Sequence, residues 1–218
     1  MQVQRREVLL AGLFGAGGLL LGCSPSRQNG FNGSIDAASR HLAHVGDSIS
    51  VASNDSLIGL YKRLGFVEPV INAQVGRRLE VSGGILNTIA GSEIVDFVVK
   101  SPTPPNLWVL ALGTNDLGQY ADAGAYTKVI DAMLARIPSS AALVWVDTYA
   151  AKQLDQAQIF NDALRTVLAT RPNSVVGDWH SECVKANGDI LTDGVHPTGL
   201  GVVTFVEVIR AALIKLLG

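Results

Sequence analysis

The chain reads as an α/β fold, a three-layer sandwich in which a five-stranded parallel sheet lies between helices on both faces. Three observations carry this reading. Short apolar runs alternate with longer stretches of helical period, proline or polar residues punctuate the boundaries, and the chemically able side chains fall just after the apolar runs. In such sheets ligands bind beyond the carboxyl ends of the strands, so those side chains are expected to share one rim.

Taken in order, the first elements are an address rather than part of the fold. Arg5 and Arg6 precede an apolar, glycine-rich stretch over residues 8–21, which is short for a membrane span and fits a signal-peptide core. An uncleaved anchor helix is the alternative. Leu20-Leu21-Gly22-Cys23 resembles the lipobox of bacterial lipoproteins. That resemblance implies a signal peptide over residues 1–22, lipid on Cys23, and export to the outer face of the cell membrane. Arg5-Arg6 also resembles a twin-arginine signal, although Gln4-Arg5-Arg6-Glu7-Val8-Leu9 lacks the usual aromatic residue, so both that route and the Sec route stay open. Residues 23–40 read as the lipidated cysteine and a polar, flexible tether, and residues 41–218 as one domain.

Within that domain the expected strands are residues 41–45, 67–73, 107–112, 142–147 and 174–178. Between the third and fourth, Tyr126, Val129, Ile130, Met133, Leu134 and Ile137 recur at helical spacing until Pro138 stops them. A second helix over residues 154–170 presents Leu154, Ile159, Ala163, Leu164, Val167 and Leu168, and Arg171-Pro172 marks its end. The last helix, residues 198–217, carries Val202, Phe205, Val206, Ile209, Leu213 and Leu216 on a broad face suited to packing on the sheet.

Composition removes several functions. With 17 basic and 19 acidic residues the chain has no basic surplus, and loss of Arg5, Arg6 and Glu7 with a leader makes it slightly more acidic. Nucleic acid is not an expected partner. There is no histidine, cysteine or carboxylate cluster at metal-ligand spacing and no phosphate-binding glycine loop, so no cofactor and no metal are expected. Of the two cysteines, Cys183 has no partner if Cys23 carries lipid, and reads as a small buried side chain.

The chemistry sits in dispersed blocks. Gly46-Asp47-Ser48 follows the first strand, Gln74-Val75-Gly76-Arg77 the second, and Gly113-Thr114-Asn115-Asp116 the third, while Asp193-Gly194-Val195-His196-Pro197 precedes the last helix. A hydroxyl becomes a useful nucleophile when an oriented imidazole removes its proton and an acid holds that imidazole. The order Ser48, Asp193, His196 supplies the three parts. Attack on an ester creates a negative oxygen, for which the N–H groups of Ser48 and Gly76 and the Asn115 amide are candidate donors.

These blocks together resemble the SGNH or GDSL hydrolase superfamily, over essentially the whole chain from Val45 onward. The resemblance implies the flavodoxin-like SGNH fold, a serine esterase mechanism with Ser48, Asp193 and His196 as catalytic residues, and an oxyanion hole of Ser48, Gly76 and Asn115. Asp47 is expected to brace the nucleophile turn rather than serve as the triad acid. His41 and His44 are expected to be structural within the first strand. His180 is a reserve base, and Arg77, Asp147 and Tyr149 are weaker candidates for substrate contact from the rim.

Ala73-Gln74-Val75-Gly76-Arg77 and Asp178-Trp179-His180-Ser181 look most like the SGNH domains attached to membrane acyltransferases that modify envelope polysaccharides. This likeness is looser. It implies a small acyl ester, such as acetyl, on an envelope carbohydrate, with a membrane contact through the N-terminal lipid. Short spacers between the blocks leave little material for a lid over a long acyl chain. Transfer to a sugar hydroxyl, a lysophospholipase or lipase activity, and a catalytically silent glycan-binding lipoprotein are the alternatives. The sequence does not determine the oligomeric state.

Overall fold

The computed structural model describes residues 40–218. The expectations for the leader, Cys23 and nearly all of the tether lie outside them. Five strands, β1 (Leu42–Gly46), β2 (Val70–Ala73), β3 (Leu107–Ala111), β4 (Ala142–Val146) and β5 (Ser174–Gly177), form one sheet in the order β2-β1-β3-β4-β5. Every neighbouring pair is parallel. The chain steps outward from β1 to β2 and returns on the other side of β1 to β3. The loops after β1 and β3 therefore flank the point where strand order reverses, the usual crevice of such sheets.

The helices are α1 (Ser48–Ala52), α2 (Asn54–Arg63), α3 (Gly91–Val99), α4 (Ala123–Leu134), α5 (Leu154–Leu168), α6 (Trp179–Lys185) and α7 (Gly199–Leu217). Alternate strand residues point to opposite faces and build two separate cores. Ala43, Val45, Trp108, Leu110, Leu143 and Trp145 pack with side chains of α3, α4 and α5, including Val95, Ile130 and Phe160. Leu42, Leu107, Val109, Val144 and Val146 pack on the other face with Leu57, Tyr61, Trp179, Phe205 and Ile209 of α2, α6 and α7. Burial on both faces explains why β3 and β4 read as continuous apolar runs rather than alternating ones, while the edge strands β2 and β5 are only partly buried.

Element ends differ from the sequence expectation for local reasons. β2 starts at Val70, not at residue 67, because Pro69 has no N–H for the ladder and Glu68 sits at φ 50°. His41 lies just outside β1, with its carbonyl accepting from Asn106 N at 3.1 Å. Helix α4 ends at Leu134 instead of reaching Ile137. Pro138 disfavours helical backbone at the residue before it, so the last turn tightens, with Ile137 N bonded to Leu134 O at 3.1 Å. Thr198, at the expected start of α7, is its cap: the hydroxyl accepts from Gly201 N at 3.2 Å. Helices α1, α2, α3 and α6 lie outside the periodic stretches that the sequence marks. Among the described residues no helix is long and apolar enough to cross a membrane.

Candidate active site

The carboxyl end of β1 runs directly into a strand–turn–helix junction. Asp47, extended at φ −105°, caps α1 by accepting from Ile49 N at 3.0 Å, which leaves Ser48 as the first helical residue, half-buried at the rim. Asp47 itself is 1% exposed, and burial pushes its carboxyl up to about 7 against the opposing pull of the Ile49 N–H and of nearby His196.

The Asp193–His196 segment is a tight turn in front of α7. Thr192 N donates to His196 O at 2.8 Å, and Gly194 takes φ +87°, a conformation open to glycine. Asp193 Oδ1 accepts from Val195 N at 3.0 Å and His196 N at 2.8 Å, while Oδ2 lies 2.7 Å from His196 Nδ1. The His196 backbone N–H, then its side chain, then the Val195 N–H hold the Asp193 carboxyl well below the usual carboxylate range. The acid is thus ionised at neutral pH, and the imidazole is aimed with Nδ1 toward it. The other ring nitrogen, Nε2, lies 3.0 Å from Ser48 Oγ.

The loops after β2 and β3 close the other side. Pairing of Gly46 with Ala73 and with Ala111 sets Gly76 and Asn115 a few residues beyond the same rim as Ser48. Gly76 has φ +76°, a conformation that favours glycine, while a Cβ there would meet only the tip of the exposed Leu86 side chain, 2.9 Å from its Cδ1. Asn115 lies inside a short 3₁₀ turn, Thr114–Asp116, and caps no helix. Its Nδ2 donates to Arg77 O at 3.1 Å and stands 3.5 Å from Asp47 Oδ2. A surface cavity of about 450 Å³ opens beside Gly76, lined also by Arg78, Val81, Ser82, Leu86 and Thr88. The cavity under the nucleophile turn, lined by Asp47, Ile49, Thr114 and Phe205 among others, holds only about 10 Å³.

The structure therefore brings Ser48, Asp193 and His196 into one hydrogen-bonded chain and sets Gly76 and Asn115 around it. The weaker rim candidates belong to the scaffold instead. Arg77 is 2% exposed and spends its guanidinium on Gly46 O at 3.1 Å, Asn72 O at 2.6 Å and Ile89 O at 3.0 Å. It braces the backbone just before the nucleophile turn. Asp147, 3% exposed, pairs with Arg165 and accepts from His180 N at 2.8 Å, and Tyr149 packs edge-on to the His180 ring. His180 directs Nδ1 to Thr148 O at 3.0 Å, whereas Ser48 is paired with His196.

Asp116 has a role that its position in the motif does not reveal. Fully buried, it accepts from Leu79 N at 3.0 Å and from Arg78 Nε at 3.3 Å, joining the loop that carries Asn115 to the loop that carries Gly76. Its partners are 37 and 38 positions away, so no local pattern announces them.

A parallel α/β sheet whose carboxyl rim carries a serine, an imidazole and a carboxylate in hydrogen-bond sequence is the architecture of an SGNH-type serine hydrolase. Residues 44–202 match the GDSL-like lipase/acylhydrolase family, and the chain belongs to that family, whose members act on ester bonds. No curated protein matches the chain. Among solved structures it is similar to the C-terminal catalytic domain of Streptococcus pneumoniae peptidoglycan O-acetyltransferase A, with TM-score 0.62 and 21% identity over 81% of this chain and 94% of that one. It is also similar to an acetylxylan esterase from Geobacillus stearothermophilus (TM-score 0.61, 12% identity, 80% and 94% covered). A third is a carbohydrate acetylesterase family member from Sinorhizobium meliloti (TM-score 0.58, 17% identity, 82% and 99% covered). At these identities the likeness is one of fold.

Proposed function

We propose that the protein is an exported serine esterase that removes small, acetyl-like acyl groups from envelope carbohydrate through an acyl-Ser48 intermediate. The observation that carries the reading is the continuous chain Ser48 Oγ, His196 Nε2, His196 Nδ1, Asp193 Oδ2, with steps of 3.0 and 2.7 Å. In this mechanism Ser48 attacks the ester carbonyl while His196 takes its proton, and ionised Asp193 holds the tautomer and balances the imidazolium. The oxyanion is received by the N–H groups of Ser48 and Gly76 and by Asn115 Nδ2. Collapse of that intermediate releases the alcohol with the proton from His196. Water, deprotonated by the same imidazole, then attacks the acyl-serine and restores Ser48.

A small acyl group is supported by the short spacers between the blocks, which leave little material for a lid over a long acyl chain. The carbohydrate reading draws on similarity to two carbohydrate-directed acetylesterases. Similarity to the O-acetyltransferase domain favours one second reading, in which a sugar hydroxyl replaces water in the deacylation step. Export and attachment through lipid on Cys23 complete the proposal, resting on Leu20-Leu21-Gly22-Cys23.

Intact-mass labelling of the purified protein with a fluorophosphonate tests the mechanism. One adduct on wild type, absent from Ser48→Ala and His196→Ala, is expected. No adduct on folded wild type would leave a silent glycan-binding protein as the better account. Faster cleavage of p-nitrophenyl acetate than of long-chain p-nitrophenyl esters is expected, and the reverse order would point to a lipase or lysophospholipase. Radiolabelled palmitate should enter the wild type and not Cys23→Ala.

A further inference from the structure

Behind the nucleophile turn lies a second serine–histidine pair that no substrate can reach. His44 Nε2 is 2.9 Å from Ser50 Oγ and His44 Nδ1 is 2.7 Å from the Tyr61 hydroxyl. His44, Ser50 and Tyr61 are each 0% exposed. A neutral imidazole offers one donor and one acceptor, and each hydroxyl takes either role, so the three side chains satisfy one another in either tautomer. They come from three elements: β1, α1 and α2.

Helix α1 has five residues, too few to hold its own shape, so its orientation is set by what it is tied to. The Ser50–His44 bond is one such tie, two residues beyond Ser48 and anchored in β1, which is paired on both sides. The backbone is built to allow it. A Cβ on Gly46 would lie 2.1 Å from Ser50 Oγ and 3.0 Å from His44 Nε2, so only glycine at that point lets the hydroxyl approach the ring. We propose that His44, braced by Tyr61, is a positioning residue for catalysis: through Ser50 it sets the orientation of α1, and with it the Oγ and N–H of Ser48 relative to His196. The inference rests on Ser48 being the nucleophile. Displacement of a reacting group by about 1 Å can cost about a hundredfold in rate, so a tie this close to Ser48 is placed to matter for turnover.

The test measures kcat and KM for p-nitrophenyl acetate, fluorophosphonate labelling rate and Tm for the full chain and for Ser50→Ala, Tyr61→Phe, His44→Ala and His44→Gln. Leu213→Ala, in the same core face but away from the triad, serves as the packing control. Ser50→Ala should lower kcat and labelling rate by roughly ten- to a hundredfold. KM should stay within about twofold, and the loss of kcat should far exceed that of a packing variant with an equal fall in Tm. His44→Gln, which retains a donor and an acceptor, should recover part of what His44→Ala loses. Tyr61→Phe, the mildest change, covers the case in which Ser50→Ala does not fold, and should lower kcat by a smaller factor at unchanged KM. Wild-type kcat in folded Ser50→Ala or Tyr61→Phe would overturn the proposal, as would a fall in kcat that only tracks Tm. Failure of the wild type to label is a different result, and removes the nucleophile reading itself.

Discussion

The carbonyl of Gly194 accepts a hydrogen bond from Ala151 N at 2.9 Å, and a Cβ on Gly194 would lie 2.8 Å from the Ala151 methyl. The turn that carries Asp193 and His196 is therefore docked on the loop after β4, and its closeness there depends on the missing side chain. Gly194→Ala adds left-handed backbone strain of about 1–2 kcal/mol to that collision. We expect a Tm lower by several degrees and a kcat lower by about tenfold or more, although all three triad side chains remain. Steady-state kinetics beside a thermal melt checks this, and unchanged kcat would mean the turn is held by other contacts.

Asn115→Ala separates catalysis from folding. Removing one oxyanion donor typically costs about two to three orders of magnitude in turnover. Its bond to Arg77 O is one of several that tie these loops together, alongside those of Asp116 and Arg77, so Tm should move little. A large fall in Tm with kcat nearly intact would assign Asn115 to the scaffold alone.

Asp193→Asn keeps the size of the acid and an oxygen for the Val195 and His196 N–H groups, but removes the charge that balances an imidazolium. Loss of about two to four orders of magnitude in kcat is expected. Wild-type turnover in this variant would require another orienting group for His196.

Buried His44 makes stability depend on acid. Burial lowers its imidazolium from 6.5 to about 3, so the unfolded chain takes up the proton first as pH falls. The stability that neutral His44 contributes is fully present above about 6.5 and is lost progressively as pH falls toward 3. Asp47, raised from 3.8 to about 7, acts with the opposite sign across its own window, so the wild-type slope alone is a sum of both. The difference between wild type and His44→Gln isolates the histidine: urea melts from pH 7 to pH 4 should show a shallower acid loss in the variant. Parallel curves would count against a neutral, buried His44.

Cys183 is fully buried and free, and burial pushes its thiol up to about 12. It should not react with a disulfide reagent in the native protein and should react on unfolding. Cys183→Ala should label with fluorophosphonate at close to the wild-type rate. Rapid native modification that blocks labelling would place the thiol near the site.

The local parts of the fold were legible in the chain. Strands 107–111 and 142–146 begin where the apolar runs begin, because a strand buried on both faces needs unbroken apolar residues, whereas the half-buried edge strand 174–177 follows the punctuation of Arg171-Pro172. The helices before Pro138 and Arg171-Pro172 announce themselves by period and punctuation. Short α1, α2, α3 and α6 do not, since few turns give little periodicity and their ends are set by tertiary contacts.

The residue types in four ordered blocks determined which groups could do acyl chemistry and that they would sit on one rim. What tertiary structure alone decided is the geometry in which they meet and which neighbouring polar residues stay out of the site. Ser48 and His196 are 148 positions apart, and their 3.0 Å contact depends on the course of the sheet between them. Arg77 and Asp147 look like rim residues in sequence and are buried struts in the fold, because whether a charge next to a strand end faces solvent or a buried partner, a carbonyl for Arg77 and the His180 N–H for Asp147, depends on packing that no local pattern encodes. His44 and Ser50 are likewise ordinary in the chain, and become a hidden pair because Gly46, at the end of β1, has no side chain to keep the Ser50 hydroxyl from the His44 ring.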